Sequence, residues 1–390
     1  MVNLLQPREK FLVLELAPAG TNGLYLSVDE DRKITFERFV RNAPIERLLK
    51  TPVRRVTDKT WEGRRFFKGG RKVIVAADPR LATTIPIPLE LQRERTFAKA
   101  RITVAELENL IAQAMAKIFN GCRSEAAKRL GLNDLDTILV SAKAKHFKID
   151  GKAAADPAGF PGKKVTLLLE LTFTGRKLFE ELKPLFNSSD HFFFAEAPQA
   201  HLASLARVRD LPLNLVVAED DGASLFVFQK AKDDYAVLYR EPLAWSARML
   251  VSPIAEALRV SEAAAKNLYR IYRRGGVSES AARVFKKTLQ PSFDAFLKEI
   301  ARAKVSGPIY IDCEGGAPFE TPYRHGGARI EEHPVGELLA ELGFTADQEF
   351  FKEGGGGSLR SLIYFLEAYF DRSNSEINQK LRRRLHWLAA

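Results

Sequence analysis

Apolar positions along the chain fall into short runs and alternations separated by turn residues, with helical spacing between them. Phe11 to Leu16 is an apolar run, followed by the turn-rich Ala17-Pro18-Ala19-Gly20-Thr21-Asn22-Gly23 and a second run, Leu24 to Val28. Two such runs about a Gly/Asn-containing turn predict a β-hairpin. Lys33 to Phe39 and Lys72 to Ala77 add two more strands, so the chain opens with a sheet. From Thr103, with Glu106 three residues on as in a capping box, apolar side chains recur at Val104, Leu107, Leu110, Ile111, Ala114, Met115 and Ile118. That spacing predicts an amphipathic helix of about four turns. Strands at Thr137 to Ala142 and Lys164 to Thr172, then a helical Gly175 to Leu185, complete a compact α+β unit.

After Pro212 the opening pattern returns. Leu213 to Ala218, a turn at Asp220-Asp221-Gly222, Ala223 to Phe228 and then Tyr235 to Tyr239 form a second hairpin with a third strand. Helical stretches follow at Pro253 to Tyr272 and Ser278 to Ala303, then a strand at Ile309 to Cys313 running into Glu314-Gly315-Gly316, and a helical final 30 residues. Two halves that each begin with a hairpin predict a duplicated, two-lobed fold closing over a cleft. In such a fold tight turns offer backbone N–H groups to a phosphate chain.

Composition narrows the classes. With 390 residues, 46% of them hydrophobic, the chain can bury more than one core. Two cysteines, Cys122 and Cys313, are too few for a disulfide framework, and no signal peptide is legible at the N-terminus, which together fit a reducing cytoplasm. Apolar runs stop well short of 18 residues, so membrane contact is expected to be peripheral, at the inner face of the cell membrane. Lys plus Arg exceed Asp plus Glu by 60 to 49, a net charge of +11 that favours acidic partners. The basic stretch Arg54, Arg55, Lys59, Arg64, Arg65, Lys68, Arg71 and Lys72, interleaved with Trp61, Phe66 and Phe67, is compatible with nucleic acid but reads better as a solvated loop. His146, His191, His201, His325, His333 and His386 lack metal-ligand spacing, and no CxxC, Walker loop or GxSxG elbow occurs, which argues against a hydrolase or metalloenzyme.

One segment is specific. Phe147-Lys148-Ile149-Asp150-Gly151, then Asp156-Pro157-Ala158-Gly159-Phe160-Pro161-Gly162, then Val165 to Thr172 and Gly175, resembles the FtsA family of bacterial cell-division proteins, where a strand ends in an "IDG" turn, passes a "(D/N)PxGxxG" loop and returns as an apolar strand. The likeness is sharp from about Leu139 to Gly175 and looser over most of the chain. It implies an α/β, two-lobed actin-like ATPase fold with duplicated mixed-sheet lobes and a small α+β domain inserted in the first lobe. On that basis residues 1–80 and 186–212 form the first lobe, 81–185 the inserted domain, 213–252 and 304–372 the second lobe, 253–303 a helical subdomain, and 373–390 a C-terminal amphipathic helix. The type IV pilus protein PilM shares this architecture and is the nearest competitor.

The same resemblance locates the nucleotide site and its departures. Where the family carries a "DIGxGT" turn, this chain reads Val217-Ala218-Glu219-Asp220-Asp221-Gly222-Ala223-Ser224. Ala218 replaces the metal-holding Asp, and Asp220 and Asp221 fall where glycines are expected. Two unit charges about 4 Å apart repel by roughly 4 kcal/mol at an effective dielectric of about 20, which opposes a triphosphate. In the first hairpin Glu15 keeps the acidic character, but Pro18 supplies no N–H beside Gly20 and Thr21. Ala264 stands where an acidic contact is usual, with Lys266 or Asn267 still able to approach, and the Gly315-Gly316 turn is retained. Two readings stay open: a dead site in a scaffold, or a shifted site in which Glu219, Asp220 or Asp221 holds Mg²⁺. The expected cofactor is therefore none, with ATP and magnesium if the cleft still functions.

The tail opens with a capping box at Ser373 to Glu376 and sets Ile377, Leu381, Leu385 and Leu388 on one face, flanked by Trp387, with Lys380, Arg382, Arg383 and His386 around it. Leu381, Arg382, Arg383, Leu385, Trp387 and Leu388 are the expected contacts of an interfacial helix on an anionic membrane, and FtsA-like proteins end in such a helix. Packing on its own domain is the alternative. The resemblance further implies self-association and a tubulin-like or other filament partner. The competing functions are a PilM-like adaptor that binds a short peptide of a membrane protein, and an active ATPase with an unorthodox site.

Overall fold

The computed structural model describes all residues except 1–7, 51–70, 94–99, 187–191, 232–234, 314–321, 326–327, 333–334, 347–354, 372–375 and 382–390. The chain divides into two units, residues 1–201 with 343–390, and residues 202–342.

In the first unit β1 (Glu9–Ala17) and β2 (Gly20–Val28) form the expected hairpin, β3 (Lys33–Ala43) follows antiparallel to β2, and β4 (Lys72–Ala77) returns parallel to β1 after α1 (Ile45–Lys50). The chain then leaves the sheet. β5 (Ala82–Gln92), α2 (Val104–Leu130), β6 (Thr137–Ile149), β7 (Lys152–Ala153) and β8 (Lys164–Gly175) build a separate antiparallel sheet in the order β5-β8-β6-β7. After α3 (Arg176–Phe186), β9 (Phe192–Glu196) rejoins the first sheet parallel to β4, and α4 (Ala197–Leu205) follows.

The second unit repeats the first sheet's order. β10 (Leu213–Ala218), β11 (Ala223–Lys230) and β12 (Ala236–Leu243) are an antiparallel meander, and β13 (Ile309–Cys313) and β15 (Ala328–Glu332) are added parallel beside β10, with β14 (Tyr323–His325) at the edge. Among the described residues the two sheets read β3-β2-β1-β4-β9 and β12-β11-β10-β13-β15, the same path in space, with β16 (Thr345–Ala346) extending the first. Between β12 and β13 the chain makes α5 (Arg248–Leu258), α6 (Glu262–Arg273) and α7 (Glu279–Ala303). The helical stretch expected over Pro253 to Tyr272 is divided between two helices, because Arg259 adopts a left-handed cap (φ 53°) and the Ser261 hydroxyl accepts from Ala264 N–H to start α6. Trp245, Leu250, Tyr269, Phe285 and Phe296 bury the faces of these helices against the sheet. The helix expected from Thr103 is longer than four turns, running to Leu130, and Thr103 caps it as read.

Packing moves the expected boundaries. Leu182 and Leu185 of α3 lie in a buried cluster with Leu12, Leu14 and Val75 of the first sheet and Ile138 and Val140 of β6. Leu202 and Leu205 pack with Leu213 and Leu215, which places 202–212 with the second unit. Residues 343–372, assigned above to the second lobe, group with the first: after α8 (Val335–Glu341), α9 (Gly355–Phe370) lays Phe365 edge-on against Phe11 at 5.0 Å.

The recognisable motif is a folding device. Asp150 (φ 47°) and Gly151 (φ 85°) both take positive φ between paired Ile149 and Lys152, the backbone of a type I′ hairpin turn. The Asp150 carboxylate then accepts from Lys163 and Lys164 N–H, at 3.1 and 2.9 Å, and so pins the returning loop. Gly162 must be a glycine because a Cβ there would overlap Cγ2 of Ile149. Arg93 holds the other side: its guanidinium, with no exposed side-chain surface, donates to both oxygens of Glu106 and to the carbonyls of Ala100 and Gly162. Gly162→Ala is expected to destabilise the inserted domain by about 1–3 kcal/mol, read from the denaturant midpoint of the full chain.

Candidate functional site

The residues read as a nucleotide site lie on the two hairpin turns and on α6. In the second unit Ala218 pairs with Ala223, leaving Glu219 to Gly222 as the turn, closed by Glu219 N–H donating to Gly222 C=O at 2.8 Å. The carbonyls of Glu219 and Asp220 accept from Ala247 N–H at 2.7 Å and Arg248 N–H at 3.1 Å. These are donors at the start of α5, where Ala247 has no side-chain cap, so the turn itself satisfies part of the helix N-terminus. The Asp220 carboxylate faces Lys266, whose Nζ lies 3.1 and 3.3 Å from its two oxygens. Lys266, expected to approach a nucleotide, is paired with Asp220. No three His, Cys, Asp or Glu side chains converge as a metal site among the described residues.

In the first unit Gly20 pairs with Ala17 across a Pro18-Ala19 turn, and the buried Thr21 pairs with Leu16. Glu15 is buried at 8% exposure, accepts from Asn22 Nδ2 at 3.3 Å across the hairpin, and lies 3.7 Å from Arg360 of α9. Asn22 Oδ1 in turn accepts from Asn42 N–H at 3.2 Å. The same Arg360 stands near His201, and burial first, then that positive charge, pushes the imidazole down to about 3, so His201 is neutral near pH 7. Arg360 was not singled out in the sequence; it lies more than 300 residues from Glu15, and no local spacing links them.

Gly315 and Gly316 lie outside the described residues, as do Arg382, Arg383, Leu385, Trp387 and Leu388. Most of the basic stretch Arg54 to Lys72 does too; of its described part, Arg71 pairs with Glu37 at 2.8 Å and covers the Tyr25 ring, and Lys72 pairs with Glu9 at 3.1 Å. Leu381, expected to face a membrane, is 2% exposed and packs with Ile377 in the core of the inserted domain, against the cluster of Ile111, Met115 and Ala144. That part of the tail takes the alternative of packing on its own domain, its apolar side chains joining the buried cluster between α2 and its sheet.

Two sheets with a common 3-2-1-4-5 strand order, the first carrying an α+β insertion after its fourth strand, define the actin-like ATPase fold. No family model matches the sequence, and no curated protein matches it. Among solved structures the chain is similar to a "PilM-PilN type IV pilus biogenesis complex" at 14% identity, over 93% of this chain and 97% of that one, with a TM-score of 0.45. It is also similar to a Bacteroides thetaiotaomicron protein described as having an actin-like ATPase fold and unknown function, at 9% identity over 67% and 81% of the two chains and a TM-score of 0.31. A glycerol dehydratase reactivase gives 12% identity over 63% and 48%, with a TM-score of 0.29. These are likenesses of fold alone.

Proposed function

We propose that this chain is an FtsA-like scaffold that works without bound nucleotide, self-associates, and holds a filament partner at an anionic membrane. What supports the nucleotide-independent part is the turn at Asp220-Asp221. Its carbonyls point to the α5 N-terminus, so that helix end, an anion site in principle, is partly used by the protein itself. Its leading carboxylate is held by Lys266, the cation that would otherwise meet a phosphate. The first hairpin adds Pro18, without an N–H, and a Glu15 already engaged by Asn22 and Arg360. These groups do not fit a magnesium–triphosphate, and no reaction step is assigned to them.

The membrane part rests on the tail's Arg382 and Arg383 beside Leu385, Trp387 and Leu388. The FtsA-like part rests on the Ile149-Asp150-Gly151 and Asp156 to Gly162 elements, and self-association and the filament partner come with that resemblance. Isothermal calorimetry of the purified chain with ATP and Mg²⁺ is expected to give no binding heat at millimolar nucleotide. Micromolar affinity would overturn this reading and favour an active ATPase whose metal is held at Glu219, Asp220 or Asp221.

A further inference from the structure

The free edge of the inserted sheet is closed by the chain's own C-terminal segment. β7 pairs with β6 only at Lys148 and Ile149, so at Ala144 the described residues offer β6 no strand neighbour on that side. Asn378 takes that place: its Oδ1 accepts from Ala144 N–H at 2.7 Å and its Nδ2 donates to Ala144 C=O at 3.0 Å. A primary carboxamide carries donor and acceptor side by side, the pattern an adjacent strand would present. The segment arrives held by charge, because Asp371, just past α9, pairs with Lys143 of β6 at 3.0 Å, while burial of Lys145 is outweighed by the carboxylates of Glu170, Glu367 and Asp371. Residues 376–381 are helical, and Ile377 and Leu381 are buried at 3% and 2% exposure in the cluster between α2 and its sheet.

Ile377 and Leu381 are also the first half of the tail's apolar face, which Leu385 and Leu388 continue. Binding of an interfacial helix scales with the apolar area it inserts, and each aliphatic side chain is worth about tenfold in partition. The same two side chains cannot fill the inserted domain and enter a bilayer together. We propose that the β6 edge is a clasp that holds the tail off the membrane, and that anionic lipid and the Ala144 edge compete for residues 376–381. This rests on the membrane reading above and adds its regulation. The ligand is an anionic bilayer, matched to Lys380, Arg382 and Arg383.

Cosedimentation with phosphatidylglycerol/phosphatidylcholine vesicles tests it on the full chain, on Asn378→Ala, and on each of these lacking residues 382–390. Losing the two edge hydrogen bonds is expected to lower the lipid concentration for half-binding about tenfold. Both deletions are expected to stay in the supernatant. In the unaltered chain, vesicles are expected to speed amide hydrogen exchange at Ala144. Lys143→Gln, which releases Asp371 without touching the tail, is expected to shift binding in the same direction as a check against local misfolding. Equal binding by the full chain and Asn378→Ala, with loss on deletion, would leave the membrane reading standing and overturn the clasp. Enhanced binding by Asn378→Ala that survives the deletion would overturn it as well. Absence of binding by all the chains would overturn the membrane reading and the clasp with it.

Discussion

Lowering the pH from 6.5 toward 3 is expected to destabilise the folded chain steadily through His201, by on the order of 1 kcal/mol per pH unit. The cause is solvation. His201 is 3% exposed and stands near the guanidinium of Arg360, so the folded state resists the proton that the unfolded chain accepts below its ordinary value of 6.5. The folded pKa is depressed, so the unfolded state binds more protons in that window and stability falls with pH. The contribution is whole above 6.5 and gone near 3. Urea unfolding at a series of pH values checks it. His201→Leu is expected to flatten the dependence between pH 6.5 and 4.5, and an unchanged slope in the variant would assign the acid lability elsewhere.

The second large effect is expected at Glu106. Glu106→Ala removes the carboxylate that meets the guanidinium of Arg93 at 2.7 and 2.9 Å, leaving a charge with no exposed side-chain surface and only carbonyl partners. Breaking such a pair costs about 3 kcal/mol, because the burial of the ion persists while its compensation is gone. Arg93 also binds Gly162 C=O, so the loss is expected to spread to the loop that Asp150 pins. Hydrogen exchange at Lys163 and Lys164, whose amides donate to Asp150, is the readout that separates this from a loss at the α2 N-terminus. A pH test accompanies it. Hydrogen bonding from Arg93 holds the Glu106 carboxyl below 4.5, against the opposing effect of burial, so its stabilisation is whole above 4.5 and fades as pH falls below that value. The two acid responses therefore begin at different pH values, His201 from 6.5 down and Glu106 from 4.5 down, so that of the two His201 acts alone between 6.5 and 4.5.

Much of the architecture was legible because short-range chemistry wrote it. Alternating apolar runs about Pro18-Ala19 and Asp220-Asp221 marked both opening hairpins, and Asp150-Gly151 demanded a turn with two positive φ angles. The candidate site was legible only in composition. That Asp220 and Asp221 stand in a phosphate-type turn could be read directly; that Asp220 faces Lys266, 46 residues away, and that its carbonyl caps α5 could not.

The sequence by itself determined the two opening hairpins and the unusual chemistry of their turns, because each depends on residues close together along the chain. Only the tertiary structure decided where α9 and the tail belong. Nothing local tells an amphipathic segment which apolar surface it will meet. Phe365 packs against Phe11 and Asn378 closes the edge at Ala144, contacts made across more than 200 residues of chain, and the burial of Leu381 follows from a floor that α2 and β6 create together.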